Sequence, residues 1–252
     1  LLSVEQYKQA LRYRYSAIIL YKLAFNYYQL GELLEAKNTL YEALDLDSSY
    51  YYSNELLANI SLIEGDLELA INTYQKLISR NSNGVLYNNL GLAYMLNGDY
   101  ENAVKNAYKA LNGSNQNTGH MLNLADALLV DGQIHEAETL YKKILVLDKH
   151  SIDLWALLRK SQAYSHLKNY REAIETINHA KKLFPNNADV SHIAALVSTQ
   201  AGENLSALVY VEDAIQSGFD GVWFNLPWFK PLCAAVDFRI QLTYLGARSI
   251  CY

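Results

Sequence analysis

The chain has 252 residues, is 51% hydrophobic and 19% charged, and carries a formal net charge of −5 at pH 7. This mild acidity argues against a non-specific nucleic-acid surface, which needs clustered Lys and Arg to neutralise phosphates. No apolar stretch approaches the ~20 residues that cross a bilayer, and with only 3 prolines in the sequence little opposes helix.

In chain order, residues 1 to 16 read as one amphipathic helix, with Gln6, Tyr7, Gln9, Ala10 and Leu11 on it. It is expected to be the second half of a hairpin whose first half is missing, covering the face of the hairpin that follows. The basic residues Lys8, Arg12, Arg14 and Lys22 fit a solvated helix face. The chain starts at Leu1 without Met and without a basic-then-apolar leader, so it is expected to be a piece of something longer.

Beyond this helix a small residue, usually glycine, is followed five places later by alanine, again and again: Gly31/Ala36, Gly65/Ala70, Gly98/Ala103, Gly132/Ala137, Lys168/Ala173 and Gly202/Ala207. The steps between these pairs are 34, 33, 34, 36 and 34 residues. Such a period marks an array of helical hairpins, none of which can bury its apolar face alone, so that neighbours stack. Residues Tyr87 to Leu111 give the clearest unit. Leu90, Gly91, Tyr94 and Leu96 line one helix, Gly98 and Asp99 turn the chain, and Ala103, Ala107, Ala110 and Leu111 line the returning helix. Gly98 is expected to release the first helix through a left-handed cap, and Asp99 to cap the second. The repeat alanine is small because the helix axes approach there, so Ala103→Leu should cost about 1–3 kcal/mol by overpacking. Glu35, Glu68, Glu101, Glu136 and Glu172 stand at the starts of second helices, where the helix dipole favours them without any acid-base role.

After Gly218 the sequence changes to an aromatic run containing Phe219, Trp223, Phe224, Trp228 and Phe229, with Pro227 and Pro231, and then an amphipathic stretch to Tyr244. A terminal repeat must hide its outer apolar face, so this segment is expected to be a lid, with a partner pocket as the other reading. Cys233 and Cys251 match no zinc pattern and are expected to be inert thiols, with a disulfide as the alternative. The histidines His120, His135, His150, His166, His179 and His192 show no i, i+4 pairing and fit scattered surface or seam positions rather than metal ligands. No phosphate-cradling loop, His-Glu-x-x-His or nucleophile elbow is present, so neither an enzyme nor a cofactor or metal site is expected.

The repeats resemble the tetratricopeptide repeat family, whose pattern of Leu-Gly, Tyr, Gly, Ala, aromatic, Ala and late Pro is fullest from Asn88 through Leu90-Gly91, Tyr94 and Gly98-Asp99-Tyr100 to Ala103. The match covers about residues 17 to 221 as six repeats, leaving residues 222–252 as a C-terminal aromatic cap. Only Pro185 stands at the late proline, and Lys168 replaces the turn glycine of the fifth repeat. The resemblance implies an all-α fold, a right-handed superhelix of stacked antiparallel helix hairpins, and a protein or peptide as partner. In the family the first helix of each hairpin builds the concave wall. The corresponding positions here include Tyr21, Phe25, Tyr28, Tyr52, Asn59, Asn88, Met95, Asp126, Trp155, Leu158, Arg159 and Gln162. Asn89 and Asn123 fall where some members use asparagine on a bound peptide backbone, with plain inter-helix hydrogen bonding as the other reading. The carboxylate-binding groove of some members is absent, because Tyr21 and Phe25 replace the Lys and Asn it needs.

The order of a last repeat, a Gly-aromatic linker and a Trp-Phe/Pro-Leu helix also resembles, more loosely, the C-terminal repeat region of bacterial multidomain signalling proteins. The expected role is a non-catalytic protein- or peptide-binding scaffold, the docking or sensing part of a larger bacterial signalling or envelope protein. The alternative is a small-molecule or peptide sensor controlling an attached kinase or winged-helix domain. A Tyr-rich N-terminal face also admits a homodimer, and cytoplasm and periplasm both stay open as compartments.

Overall fold

Each hairpin is made by a helix that stops at a left-handed residue and a second helix that starts at once. The computed structural model describes residues 3–112, 116–234 and 236–244, and among them every regular element is helical. Gly31, Gly65, Gly98, Gly132 and Gly202 have φ between 75° and 86°, where a Cβ is disfavoured. At Gly98 the expected cap is present: Asp99 N–H donates back to Tyr94 at 2.9 Å, and the Asp99 carboxylate accepts from Asn102 N–H at 3.2 Å. Lys168 adopts the same conformation at φ 63° and closes the same ladder, Asn169 N–H to Tyr164 at 2.9 Å. The fifth hairpin thus turns like the others despite its side chain.

Two compact units are formed, Leu1–Ser82 and Asn83–Tyr252. The first contains α1 (Val4–Tyr13), α2 (Ala17–Gln29), α3 (Leu33–Leu46), α4 (Tyr51–Ile63) and α5 (Leu67–Arg80). Ser3 and Gln6 cap α1 reciprocally, the Ser3 hydroxyl accepting from Gln6 N–H at 3.3 Å and the Gln6 amide from Ser3 N–H at 2.8 Å. Val4, Tyr7 and Leu11 of α1 pack on a core of Leu23, Ala24, Tyr27, Ala36, Leu40, Leu56, Leu57 and Ile60.

The second unit contains α6 (Gly84–Leu96), α7 (Tyr100–Asn112), α8 (Thr118–Val130), α9 (Ile134–Leu147), α10 (Leu154–His166), α11 (Tyr170–Leu183), α12 (Ala188–Gln200) and α13 (Asn204–Gln216). Two 3-10 turns, Gly221–Phe224 and Pro227–Ala234, and α14 (Val236–Tyr244) follow. All six repeat alanines, Ala36, Ala70, Ala103, Ala137, Ala173 and Ala207, are fully buried. Gly91 shows how close the axes come: a Cβ there would meet the Ala103 carbonyl and the Ala107 nitrogen, both at 3.2 Å. Backbone cannot step aside as a side chain can.

After α13 the aromatic segment folds onto α12. Phe224, Phe229 and Leu232 are fully buried, and Trp228 nearly so. One expectation is corrected here. Cys233 is not a free thiol but disulfide-bonded, while Cys251 lies outside the described residues.

A candidate docking cavity

The residues expected on one concave wall fall into two separate groups. In the first unit they make an aromatic cluster. Tyr21 meets Phe25, Tyr50 and Tyr52 with ring centroids 6.3, 5.8 and 5.7 Å apart, and Phe25 meets Tyr28 at 6.4 Å. Tyr52 is half-exposed, and Tyr50 and Tyr51 continue the cluster. Asn59 instead serves the hairpin itself, since its amide oxygen accepts the hydroxyl of buried Tyr74 at 2.7 Å and so ties α4 to α5.

In the second unit the structure brings Asn88, Met95, Asn123, Asp126, Trp155 and Arg159 together around one cavity of about 410 Å³. This size lies within the range of sites that take small molecules or single side-chain anchors. The first helices α6, α8, α10 and α12 supply its walls, and the segment Trp223–Trp228 supplies the remaining side. Asn123 donates to Asn88 at 3.0 Å and Asn88 to Asn89 at 3.2 Å, so the asparagines form a chain across α6 and α8. Asn89 is not on the cavity lining. A second hollow, of about 320 Å³ among Lys181, Asn187 and Tyr210, has none of the expected wall residues.

The polar floor is a buried network. Asp126, 3% exposed, accepts the Tyr141 hydroxyl on one oxygen and the Gln162 amide on the other, both at 2.7 Å. Burial nevertheless pushes its carboxyl up to about 7, against the pull of those two donors. His166 Nε2 lies 3.6 Å from the same carboxylate, without a hydrogen-bond partner. Its ring stacks on Tyr141 and meets Trp228 edge-on at 5.0 Å, and burial brings it down to about 3. Arg159 is held by Asp148, Nε to Oδ2 at 2.7 Å, so its charge is balanced locally.

Sequence reasoning missed the α12 side of the cavity, namely Asp189, His192, Ile193 and Leu196, and the contribution of Trp223, Leu226 and Trp228. The signal was present. Asp189, His192, Ile193 and Leu196 stand one repeat step, 34 residues, after Trp155, Leu158, Arg159 and Gln162. Extending the wall by that step would have found them. The aromatic segment packs on α12 and lines the cavity, whereas the sequence offered a lid over the last hairpin and a partner pocket as alternatives.

Hairpins of this length, capped by left-handed glycines and stacked through buried alanines, define an interaction scaffold of the helical-repeat class. Tetratricopeptide repeat models match residues 17–50, 56–117, 94–160 and 131–197. The chain belongs to the tetratricopeptide repeat family, whose members bind proteins or peptides. A curated relative is the BBSome complex member BBS4 of Bos taurus, 27% identical over 201 residues, which are 78% of this chain and 38% of that protein. The chain therefore spans well under half the length of that relative.

Among solved structures, the Cut9–Hcn1 tetramer of the anaphase-promoting complex is similar at 18% identity and TM-score 0.63, covering 98% of this chain and 45% of that one. YrrB, described as having an unusual peptide-binding site, is similar at 20% identity and TM-score 0.53, covering 75% and 98%. TTC0263 of Thermus thermophilus is similar at 19% and 0.58, covering 69% and 95%. At these identities the structures attest the fold alone.

Proposed function

We propose that this chain is a non-catalytic docking scaffold that holds a peptide segment of a partner protein in the cavity walled by α6, α8, α10 and α12. The observation that carries this reading is convergence. Eight of the residues expected on the wall, Trp155 among them, line one cavity with the other two tryptophans of the chain, and tryptophan is among the residue types enriched where binding energy concentrates. Trp155 is 56% exposed, an unusual state for a large aromatic side chain that burial by a partner would relieve. The aromatic cluster at Tyr21, Phe25 and Tyr52 offers a second contact surface within its own unit.

The narrower reading, a docking or sensing part of a larger signalling or envelope protein, draws support from the shared use of the 219–229 aromatics. They pack the last hairpin and line the cavity, so occupancy would bear directly on their packing. A sensor role for an attached kinase or winged-helix domain would use the same coupling.

Selection from a random peptide display library against the purified chain tests the docking reading. Selected peptides should lose at least about 2 kcal/mol of affinity on Trp155→Ala and almost none on Lys142→Ala with Lys143→Ala, whose side chains lie exposed on α9. Loss at the lysines with none at Trp155 would move recognition to the outer face.

A further inference from the structure

We infer that the cavity selects a cationic side chain, a lysine ammonium or arginine guanidinium of the docked segment, with Asp189 as its counter-charge. The inference rests on the docking reading and adds the chemistry of the anchor. Three charged side chains line the cavity, Asp126, Arg159 and Asp189. Two of them are already committed. Asp126 has both oxygens engaged by Tyr141 and Gln162, and Arg159 is neutralised by Asp148. Asp189 is half-buried, and among the described residues no cation lies within ion-pair distance of it. Burial raises its pKa, against the pull of a hydrogen bond from its own backbone, and no cation is among the causes.

His192 helps wall the cavity beside Asp189 without opposing a cation. It stands three residues after Asp189 on α12, hence on the same helix face. Its ring is stacked on Phe219 at 4.9 Å and enclosed by Trp223, Phe224 and Phe229. It hydrogen-bonds the backbone of Trp223, and because Nε2 is buried with no partner, that bond is made by Nδ1. A bond that favours the protonated ring is a donation, so Nδ1 carries the proton and Nε2 presents a lone pair. Burial holds the imidazole down to about 4, so it is neutral at pH 7 and does not repel a cation.

The cavity therefore offers a carboxylate without an ion-pair partner among indole rings. Such rings attract cations through their faces. A positively charged group satisfies both features. An anionic or purely aliphatic anchor leaves the carboxylate without a counter-charge.

The three tryptophans of the chain all line this cavity, so intrinsic tryptophan fluorescence reports on it, with Trp228 also bordering a hollow beside His166 and Pro231. The full chain would be titrated with N-acetyl-lysine amide, N-acetyl-arginine amide, N-acetyl-norleucine amide and N-acetyl-glutamate amide. The two cationic probes should bind at least about fivefold more tightly than norleucine, and the glutamate probe should not bind. Asp189→Asn, close in shape and relieved of a desolvated charge, should melt no lower than the parent and should bring the cationic probes down to the norleucine level. Equal affinity for lysine and norleucine probes, preference for glutamate, or an Asp189→Asn variant that keeps the preference would overturn the inference and leave docking in the cavity standing. Absence of any probe response would also overturn it. Display-selected peptides that then bind without perturbing the tryptophans would remove the docking reading as well.

Discussion

The two units run the same repeat with different interior chemistry. Tyr74 donates to Asn59 in the first unit and Tyr141 to Asp126 in the second, both at 2.7 Å and both across 15 residues of chain. In the first unit the acceptor is a half-buried amide. In the second it is a buried carboxylate with Gln162 and His166 drawn in around it. All six histidines and all three tryptophans belong to the second unit, while the exposed aromatic surface of the first is built from tyrosine and phenylalanine. The repeat positions that make a hairpin are thus kept by size and backbone conformation. The wall positions are free to differ, and the docking proposal places recognition on them.

The largest contrast should appear in the aromatic residues themselves. Phe229 is fully buried against Phe224 and His192, so Phe229→Ala should destabilise the second unit by about 3–5 kcal/mol. Tyr52→Ala, at a position 53% exposed, should change stability by less than about 1 kcal/mol. Urea unfolding of both variants checks this. Similar losses would mean that the tyrosine cluster is core rather than surface.

The paired acceptors give a finer cut. Asp126→Ala strands both Tyr141 and Gln162 in a buried site and should cost about 3 kcal/mol, whereas Asn59→Ala removes the acceptor of Tyr74 alone and should cost about 1–2 kcal/mol. Thermal unfolding followed by tryptophan fluorescence for the second unit, and by helical circular dichroism for the whole chain, measures both.

The pH dependence comes mostly from the second unit, where the large shifts lie. Between about pH 4 and 6.5 the unfolded chain holds protons on His166 and His192 that the folded chain refuses, since burial brings them to about 3 and about 4. Asp126 opposes this with one proton retained in the folded state up to about 7. Over these three groups the unfolded state binds a net one more proton, so they should lower stability as pH falls, by about 1.4 kcal/mol per unit, while His120, lowered by burial, adds to the fall and Asp189 and Glu55, raised by burial, oppose it. Above pH 6.5 only the Asp126 contribution remains, with the opposite sign. A flat profile from pH 4.5 to 6.5 would mean that these groups are solvated.

The smallest effect lies in the turns. Lys168→Gly should stabilise its hairpin by about 1 kcal/mol by relieving a left-handed lysine, and Gly31→Lys should destabilise the first unit by a similar amount. Both are read as shifts in the denaturation midpoint.

Much of this architecture was legible in the sequence because it depends on residues with one physical reason to be where they are. A glycine at φ near 80° and an alanine at an axis crossing have few substitutes, so Gly98 and Ala103 located their hairpin unaided. Lys168 was legible by its place in the period although its side chain argued against the turn. The cavity was only half legible. Trp155 and Arg159 could be placed by repeat register, but the engagement of Arg159 by Asp148 and of Asp126 by Gln162 depends on contacts between elements 11 and 36 residues apart. Whether Trp223 and Trp228 cover a hairpin or line a cavity was equally hidden, because burial and lining use the same apolar surface. The disulfide at Cys233 was hidden too, because two cysteines 18 residues apart carry no pattern.

The central claim is that partners dock in the second unit's cavity. Its most direct test is fluorine NMR of the chain labelled with 5-fluorotryptophan, titrated with a display-selected peptide whose stoichiometry is fixed by calorimetry. Since Trp155, Trp223 and Trp228 all line the cavity, all three resonances should shift and saturate at the calorimetric equivalence point. Saturating heat with three unmoved resonances would place the partner elsewhere on the molecule.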